Sequence, residues 1–454
     1  MRYPWKETAP GVVERQLDNT ERFLKVVAVP FRSLGRENWA LNIILDVTFA
    51  AGDERAIVEK MRQAWLKLRC CQPFLAAHLN IEEDKFECTT PTDHALQQWL
   101  SDSFYVQQKS ATVDNFLLHG AWAEFSSLHY FPASSHILMR THHWLIDGVG
   151  GLHLANRFLE LFADDSPVPR FGDEARLLPP CLLDAAGFRD GGESAVEQGT
   201  VKFMEFVQNL PSIGLPVESS SPTGPGGTKR QCLAFPQEKL DALLAACRQK
   251  GLTLASAMHA AVIVATQEKA PKSESARYFT TLALFDYRKY LPEPYCDVRQ
   301  YPMGTWMLGP PFSLPPADFA TQAEACRSVY KQPVARDVFP MLDSYETYAG
   351  MLADAFAAPP PPDAPIPSQP QLSSIGLVNG KVQRSYGSGE NLVTVNKVEP
   401  VLDIMVATPL VFQWSFGGTS YINMCYNEKW QTDEFIKGFL ERVAEVLMGN
   451  MGLS

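Results

Sequence analysis

The sequence predicts a mixed α/β protein, with sheets and flanking helices, built from two lobes. The chain has 454 residues, which is more than one hydrophobic core usually serves. Segments typical of strands alternate with segments of helical periodicity in both halves. Between the halves, residues 219–227 are small, polar and rich in turn formers, as in an exposed crossover. We therefore expect a first lobe over residues 1–217, a crossover linker over 218–230 and a second lobe over 231–454.

The first half contains two predicted strands, each followed by a predicted helix. Residues 41–49 are rich in β-forming side chains and predict a strand. A helix is expected from Asp53, because the apolar residues that follow recur at helical spacing, namely Ile57, Met61, Ala64, Trp65 and Leu68. Residues 137–142 predict a second strand, and residues 149–163 predict a helix with one apolar face.

The second half repeats this mixture. Residues 252–266 predict an apolar helix after a break at Gly251, and residues 277–285 predict a buried strand. Residues 411–414 and 421–424 flank Gly417 and Gly418, which indicates a hairpin. The prolines at 359–362, 365, 367 and 370 predict a surface loop. Residues 432–448 predict a closing amphipathic helix.

Composition limits the classes of function. Hydrophobic residues make up 46% of the chain and charged residues 20%, which is ordinary for a globular enzyme. The formal net charge of -11 argues against nucleic-acid binding. No stretch is apolar for the length of a membrane span, and the nine cysteines are dispersed without a CxxC pair. We expect a cytoplasmic monomer with reduced thiols, no metal and no permanently bound cofactor.

Residues 142–148, His-His-Trp-Leu-Ile-Asp-Gly, carry the candidate chemistry. Side chains alternate along a strand, so His143 shares a face with Met139 and His142 lies on the opposite face. The two imidazoles therefore cannot share one metal or one role. His143 stands at the strand end, where Gly148 lets backbone or ligand approach closely. An imidazole titrates near neutrality and suits a general base that takes a proton from a hydroxyl or amine.

Two roles are open for Asp147. Its carboxylate could orient the imidazole of His143, or it could bind an arginine and lock the turn, and we favour the arginine. The simplest alternative for the whole motif is a packed core histidine followed by an Asp-Gly turn. Two histidines followed at fixed spacing by Asp-Gly are rare by chance, which favours a functional motif.

The motif resembles the HHxxxDG signature of the superfamily that contains chloramphenicol acetyltransferase, peptide-synthetase condensation domains and plant BAHD acyltransferases. Further segments are similar to fungal trichothecene 15-O-acetyltransferases: residues 11–23, 286–292, 373–376 and 426–428. Asp286 departs from the asparagine of that family's pattern, and no clear DFGWG segment of the BAHD branch is present.

The resemblance implies two chloramphenicol-acetyltransferase-like lobes, with the active-site tunnel between them and two substrates entering from opposite faces. The second histidine of the motif, His143, is implied to be the base. Asp147 is implied to pair with Arg288. For the donor that stabilises the oxyanion, we consider Ser374 first and Thr305 or Trp306 as alternatives.

The implied activity is that of an O-acyltransferase. It would move an acetyl or other acyl group directly from a CoA thioester to a hydroxyl of an apolar secondary metabolite, such as a terpenoid-like alcohol. Lys229 and Arg230 are candidates for contacts with the CoA phosphates. One alternative is a condensation-like enzyme that uses an acyl-carrier protein in trans and forms an amide or ester, or a related enzyme that catalyses cyclisation. A second alternative is a binding protein without catalysis.

Overall fold

A computed structural model describes residues 1–188, 191–218, 224–331, 341–361 and 364–453. Residues 219–223 of the predicted crossover and Pro362 of the predicted proline-rich loop lie outside the described residues. Within the described part of the chain, no helix has the length and apolar character needed to cross a bilayer.

Strands and helices alternate along both halves. The strands are β1 (Lys6–Ala9), β2 (Val12–Gln16), β3 (Leu41–Phe49), β4 (His78–Asn80), β5 (Lys85–Thr89), β6 (Phe104–Val106), β7 (Ser127–Phe131), β8 (His136–Thr141), β9 (Thr228–Pro236), β10 (Phe279–Leu282), β11 (Phe285–Asp286), β12 (Met307–Leu308), β13 (Pro311–Leu314), β14 (Gln371–Leu377), β15 (Ser385–Tyr386), β16 (Val393–Leu402), β17 (Leu410–Phe416) and β18 (Thr419–Asn427). The α-helices are α1 (Asn19–Ala28), α2 (Glu54–Cys71), α3 (Asp93–Ser103), α4 (Val113–His119), α5 (Gly148–Ala163), α6 (Leu182–Ala185), α7 (Gly192–Val207), α8 (Gln237–Gln249), α9 (Leu254–Lys269), α10 (Phe319–Tyr330), α11 (Met341–Ala357) and α12 (Asp433–Asn450).

The larger sheet organises the first lobe, in the order β15-β16-β3-β8-β7-β6. β3 pairs antiparallel with β8 on one side and with β16 on the other. Helices α2 and α5 pack together, and α5 contacts β3. β16 belongs to the second half of the chain, so the predicted boundary at 218–230 does not follow the hydrogen bonding of this sheet.

The second sheet has the order β14-β17-β18-β9. β14 runs parallel to β17, and β17 and β18 form the predicted hairpin through Gly417 and Gly418, whose φ angles are 60° and 85°. A buried apolar cluster joins one face of this sheet to α8, α9 and α12. β9 begins at Thr228, so the last residues of the predicted crossover form a strand.

The mixed α/β fold class is confirmed, and most predicted elements are present within a few residues. β3 spans Leu41–Phe49, as predicted. The predicted strand over 277–285 is divided instead: β10 pairs with β13, while β11 pairs with β12. α5 begins at Gly148 because Asp147 acts as its N-cap.

Candidate active site

The motif forms the turn between β8 and α5. β8 ends at Thr141, and the Asp147 carboxylate caps α5 by accepting a hydrogen bond from the Gly150 amide at 2.9 Å. Gly150 is sterically required here, since a Cβ would lie 2.4 Å from the Pro302 carbonyl oxygen and 2.5 Å from Arg288 Nη2. The turn is therefore packed tightly against the second half of the chain.

The two histidines contact different surroundings. His142 Nδ1 lies 2.9 Å from the Glu37 carboxylate, and its Nε2 lies 3.2 Å from the Glu124 carbonyl oxygen. Its ring stacks on Trp144, with 4.6 Å between centroids and 6° between planes. Both nitrogens of His142 thus have protein partners, and the residue holds the strand end in place.

His143 is buried at the wall of a cavity. Its Nδ1 is buried, and its backbone carbonyl accepts a hydrogen bond from Thr305 Oγ1 at 3.1 Å. Burial lowers the pKa of His143. Backbone hydrogen bonding of the ring, first to His143 itself, and the charges of Asp147 and Glu37 oppose that shift only in part. The imidazole is therefore neutral at neutral pH and able to accept a proton.

The cavity has an empty volume of about 830 Å³, including its open mouth. It lies between the lobes, because α1, β3 and the motif form one side while β14, β17 and α11 form the other. Its polar lining side chains are Thr20, His143, Tyr345, Gln371 and Ser373. Most of the remaining lining is apolar: Phe23, Leu24, Trp39, Leu41, Leu282, Leu284, Met307, Ala349, Leu352, Leu402, Leu410 and Phe412. Among the described residues that line it, none carries a charge at neutral pH.

The structure contains the ion pair suggested for Asp147 and Arg288. Arg288 Nη1 lies 2.8 Å from both carboxylate oxygens, and each side chain is nearly inaccessible to solvent. Asp147 Oδ2 also accepts a hydrogen bond from the Trp306 amide at 2.8 Å. Arg288 Nη2 donates to the carbonyl oxygens of Pro302 and Gly304 at 3.2 and 3.1 Å. Asp147 makes no hydrogen bond to His143 among the described contacts, so the geometry matches the locking role.

The three candidates for the oxyanion donor do not face the cavity. Ser374 Oγ donates to Gln413 Oε1 at 3.0 Å on the other face of β14, whereas the preceding Ser373 lines the cavity. Side chains alternate along a strand, so a one-residue error in the sequence interpretation selects the wrong face. The Thr305 hydroxyl bonds to His143, and both Trp306 donors are taken, by Asp147 and by the Pro180 carbonyl.

Lys229 and Arg230 lie in a different groove, on β9. Lys229 Nζ lies 3.1 Å from Asp433, and Arg230 lies 3.1 Å from Asp114 and 2.8 Å from Glu399. Neither residue lines the cavity of His143. Since acidic partners already neutralise both cations, the structure does not favour them as phosphate contacts.

Trp39 is a cavity residue that the sequence interpretation missed. Its φ of 63° is unusual for a bulky residue, and its ring centroid lies 6.4 Å from that of His143. Strained backbone of this kind is often found at functional sites. No local sequence pattern predicts such a conformation for a tryptophan, so only the structure reveals it.

Comparisons with known proteins extend over almost the whole chain. No protein-family model matches the sequence. The chain is 24% identical over 460 residues to the acetyltransferase pigO of Monascus ruber, covering 99% of this chain and 98% of that protein. It is 26% identical over 459 residues to the O-acetyltransferase pigM of the same organism, covering 98% and 86%.

Solved structures share the fold. The trichothecene 15-O-acetyltransferase TRI3 of Fusarium sporotrichioides superposes with a TM-score of 0.81 at 15% identity, covering 98% of this chain and 97% of that one. A starter condensation domain of rhizomide synthetase, a mutant solved in complex with C8-CoA, superposes with a TM-score of 0.59 at 12% identity, covering 96% and 94%. The two-lobed fold expected from the resemblance is therefore confirmed. The chain therefore shares the fold of this fungal acetyltransferase and of condensation domains, and over nearly its full length it is similar in sequence to two proteins named as acetyltransferases.

Proposed function

We propose that this protein transfers an acetyl or other acyl group from a CoA thioester to a hydroxyl of an apolar secondary metabolite, with His143 as the general base. One observation carries the proposal: a neutral, buried imidazole stands at the wall of a largely apolar cavity between two lobes. A base of this kind can activate a hydroxyl that the cavity holds away from bulk water.

The proposed reaction is a direct transfer. His143 Nε2 accepts the proton of the acceptor hydroxyl while that oxygen attacks the thioester carbonyl carbon. The carbon–sulfur bond of the tetrahedral intermediate then breaks, and the proton passes from His143 to the departing thiolate. Nδ1 is the nitrogen enclosed by protein, which leaves Nε2 for the substrate. The net products are an ester and free CoA.

Ser373 is the proposed oxyanion donor. It lies on β14 and lines the cavity that His143 also lines, so a reacting carbonyl between the two lobes would face both. A hydroxyl aimed at the developing negative charge stabilises the transition state more than the ground state. This assignment replaces Ser374, whose hydroxyl bonds to Gln413.

The lining of the cavity favours a neutral, apolar acceptor. A charged acceptor would lose its hydration there without a countercharge, which is costly. Aromatic and aliphatic walls suit a rigid hydrocarbon skeleton, and Thr20 and Gln371 offer polar contacts for additional oxygens. A terpenoid-like alcohol fits these requirements.

The relatives support a soluble thioester as the donor. Two fungal acetyltransferases resemble the chain over nearly its full length, and a structural neighbour was solved with C8-CoA. A carrier-bound acyl group remains the alternative to be tested, because condensation domains share the fold.

The test is to incubate the purified protein with acetyl-CoA and a panel of neutral terpenoid and polyketide alcohols. Free thiol and the ester product are measured together. His143→Ala should lower the rate of the chemical step at least about a hundredfold. His94→Ala is the matched control, since His94 is exposed on α3 and distant in sequence from the motif.

Full activity of His143→Ala, where chemistry limits turnover, would refute the role of the base. A wild-type protein that ignores acetyl-CoA but uses an acyl-carrier protein would refute the donor and leave the fold and base assignments standing.

A further inference from the structure

Lys381 is a half-buried lysine in the turn that follows β14. Its ammonium donates to the Leu377 carbonyl oxygen at 3.1 Å. Within the described part of the chain, no salt bridge to a carboxylate within 4.0 Å forms at this residue. Burial lowers the pKa of Lys381, and the charge of Asp286 opposes that effect. A partly desolvated cation without a close countercharge is well placed to bind an anion.

The turn that carries Lys381 is fixed against α5. The Gln383 amide and the Tyr386 hydroxyl both donate to Asn156 Oδ1, at 3.3 and 2.6 Å. His153 stands three residues before Asn156 on α5, and the charge of Lys381 is near enough to lower the pKa of this histidine. His153 follows Gly148, the first residue of α5, by five residues, or about 7.5 Å along a helix. Gly148 lines the cavity, so α5 runs from the cavity wall to the turn of Lys381, and Lys381 itself is not among the lining residues.

The charges of two cations act on His153, although the chain carries a net charge of -11. Burial, together with the charges of Arg288 and Lys381, lowers the pKa of His153 to about 4, and the charge of Asp147 opposes that shift. Asp147 and Asp286 lie 2.8 and 3.1 Å from Arg288 and neutralise that cation, so among the described residues Lys381 is the one of the two without a close carboxylate. Arg384 adds a second cation at the exposed end of the turn, close to Gly417.

Apolar surface stands next to this cation. Leu377, whose carbonyl binds the Lys381 ammonium, is 63% exposed, which is high for a leucine at the end of a strand. An acyl-CoA has a matching arrangement, because a long and weakly polar arm lies next to its charged phosphates and separates them from the thioester. The groove of Lys229 and Arg230 is less suited to a phosphate, since the phosphate would have to displace carboxylates from both of these side chains.

We infer that Lys381, with Arg384 at the outer end of the same turn, binds the phosphate groups of the CoA donor. The inference rests on the proposed function, because it locates the entrance for the proposed donor. The donor would approach past the end of β14 and the start of α5. Its thioester would then reach His143 beside Gly148, where no side chain intervenes.

Binding measurements on the full chain test the inference. Acetyl-CoA and S-acetylpantetheine, which lacks the phosphates, are titrated into the wild type, Lys381→Gln, Lys381→Arg and the control Lys229→Gln. Lys381→Gln should weaken acetyl-CoA binding about tenfold or more, the scale of one lost hydrogen bond to a charged group. Lys381→Arg should retain most of the affinity, and Lys229→Gln all of it. Added salt should weaken binding to the wild type more than to Lys381→Gln.

Acetylpantetheine should bind the wild type and Lys381→Gln equally. If Lys381→Gln binds acetyl-CoA as tightly as the wild type, or loses affinity equally for both compounds, the inference is wrong while the proposed function stands. If the wild type binds neither compound, both the inference and the proposed CoA donor are wrong.

Discussion

Replacing Asp147 with asparagine should destabilise the protein by about 3 kcal/mol, at the lower end of the cost of breaking a buried ion pair. The carboxylate accepts hydrogen bonds from Arg288, from Gly150 and from the Trp306 amide. Asparagine keeps one oxygen, which can still cap α5. Its amide NH₂ group must then face the guanidinium or the Trp306 amide, so donors oppose donors in a buried site.

The estimate is at the lower end because Arg288 keeps other partners. Asp286 remains 3.1 Å from Nη1, and two backbone carbonyls accept from Nη2. Urea denaturation of the wild type and Asp147→Asn, followed by near-ultraviolet circular dichroism, measures the difference in the free energy of unfolding.

Asp286→Asn is the matched control, since the Asp286 carboxylate is 34% exposed and should contribute less than about 1 kcal/mol. Equal stability of the wild type and Asp147→Asn would show that the pair does not hold the turn, and the locking role would have to be abandoned.

Three further outcomes are expected. Ser373→Ala should lower kcat by on the order of a hundredfold, whereas Ser374→Ala should leave kcat unchanged; steady-state kinetics that rank the two variants the other way would return the oxyanion role to Ser374. His142→Ala should lower the free energy of unfolding by about 2 kcal/mol, because it removes a hydrogen-bonded partner from the buried Glu37 carboxylate; a urea midpoint equal to that of the wild type would count against this. The lowered pKa of His143 means that the imidazole stays neutral below its usual pKa of about 6.5, so kcat/KM should be constant through that pH and fall only in more acidic solution. A pH–rate profile that is half-maximal above this value would contradict the burial argument.

The elements that the sequence predicts best are those whose pattern is local. β3 follows from its run of β-forming side chains and α5 from period-3.6 spacing, and both signals depend on neighbours along the chain. The motif turn is predicted for the same reason, since Asp-Gly at 147–148 is a local turn signal. The prediction of one strand over residues 277–285 is wrong, because this segment pairs with two separate strands, β13 and β12, which no local pattern reveals.

The candidate site follows the same rule. The position of His143 at the end of a strand can be predicted from sequence, and the resemblance supplies Arg288 as the partner of Asp147. The sequence cannot predict which face of β14 lines the cavity, because a single bulge or an error of one residue in the strand boundary exchanges Ser373 for Ser374. The sequence also could not show that Lys229 and Arg230 on β9 are already paired. Their acidic partners Asp433 and Asp114 lie far away in sequence, and only the fold brings them near.

The contribution of β16 to the larger sheet has a consequence for biosynthesis. β3 hydrogen-bonds to β16 along its full length, from Phe49 opposite Val393 to Leu41 opposite Leu402. On the ribosome, β3 emerges some 350 residues before its partner, so one edge of a nascent β3–β8 pair stays open until the chain is nearly complete. The open edge is rich in isoleucine, leucine and valine. Truncation before residue 393 should therefore yield an aggregating product, and full-length chains should depend on chaperones that cover this edge during synthesis.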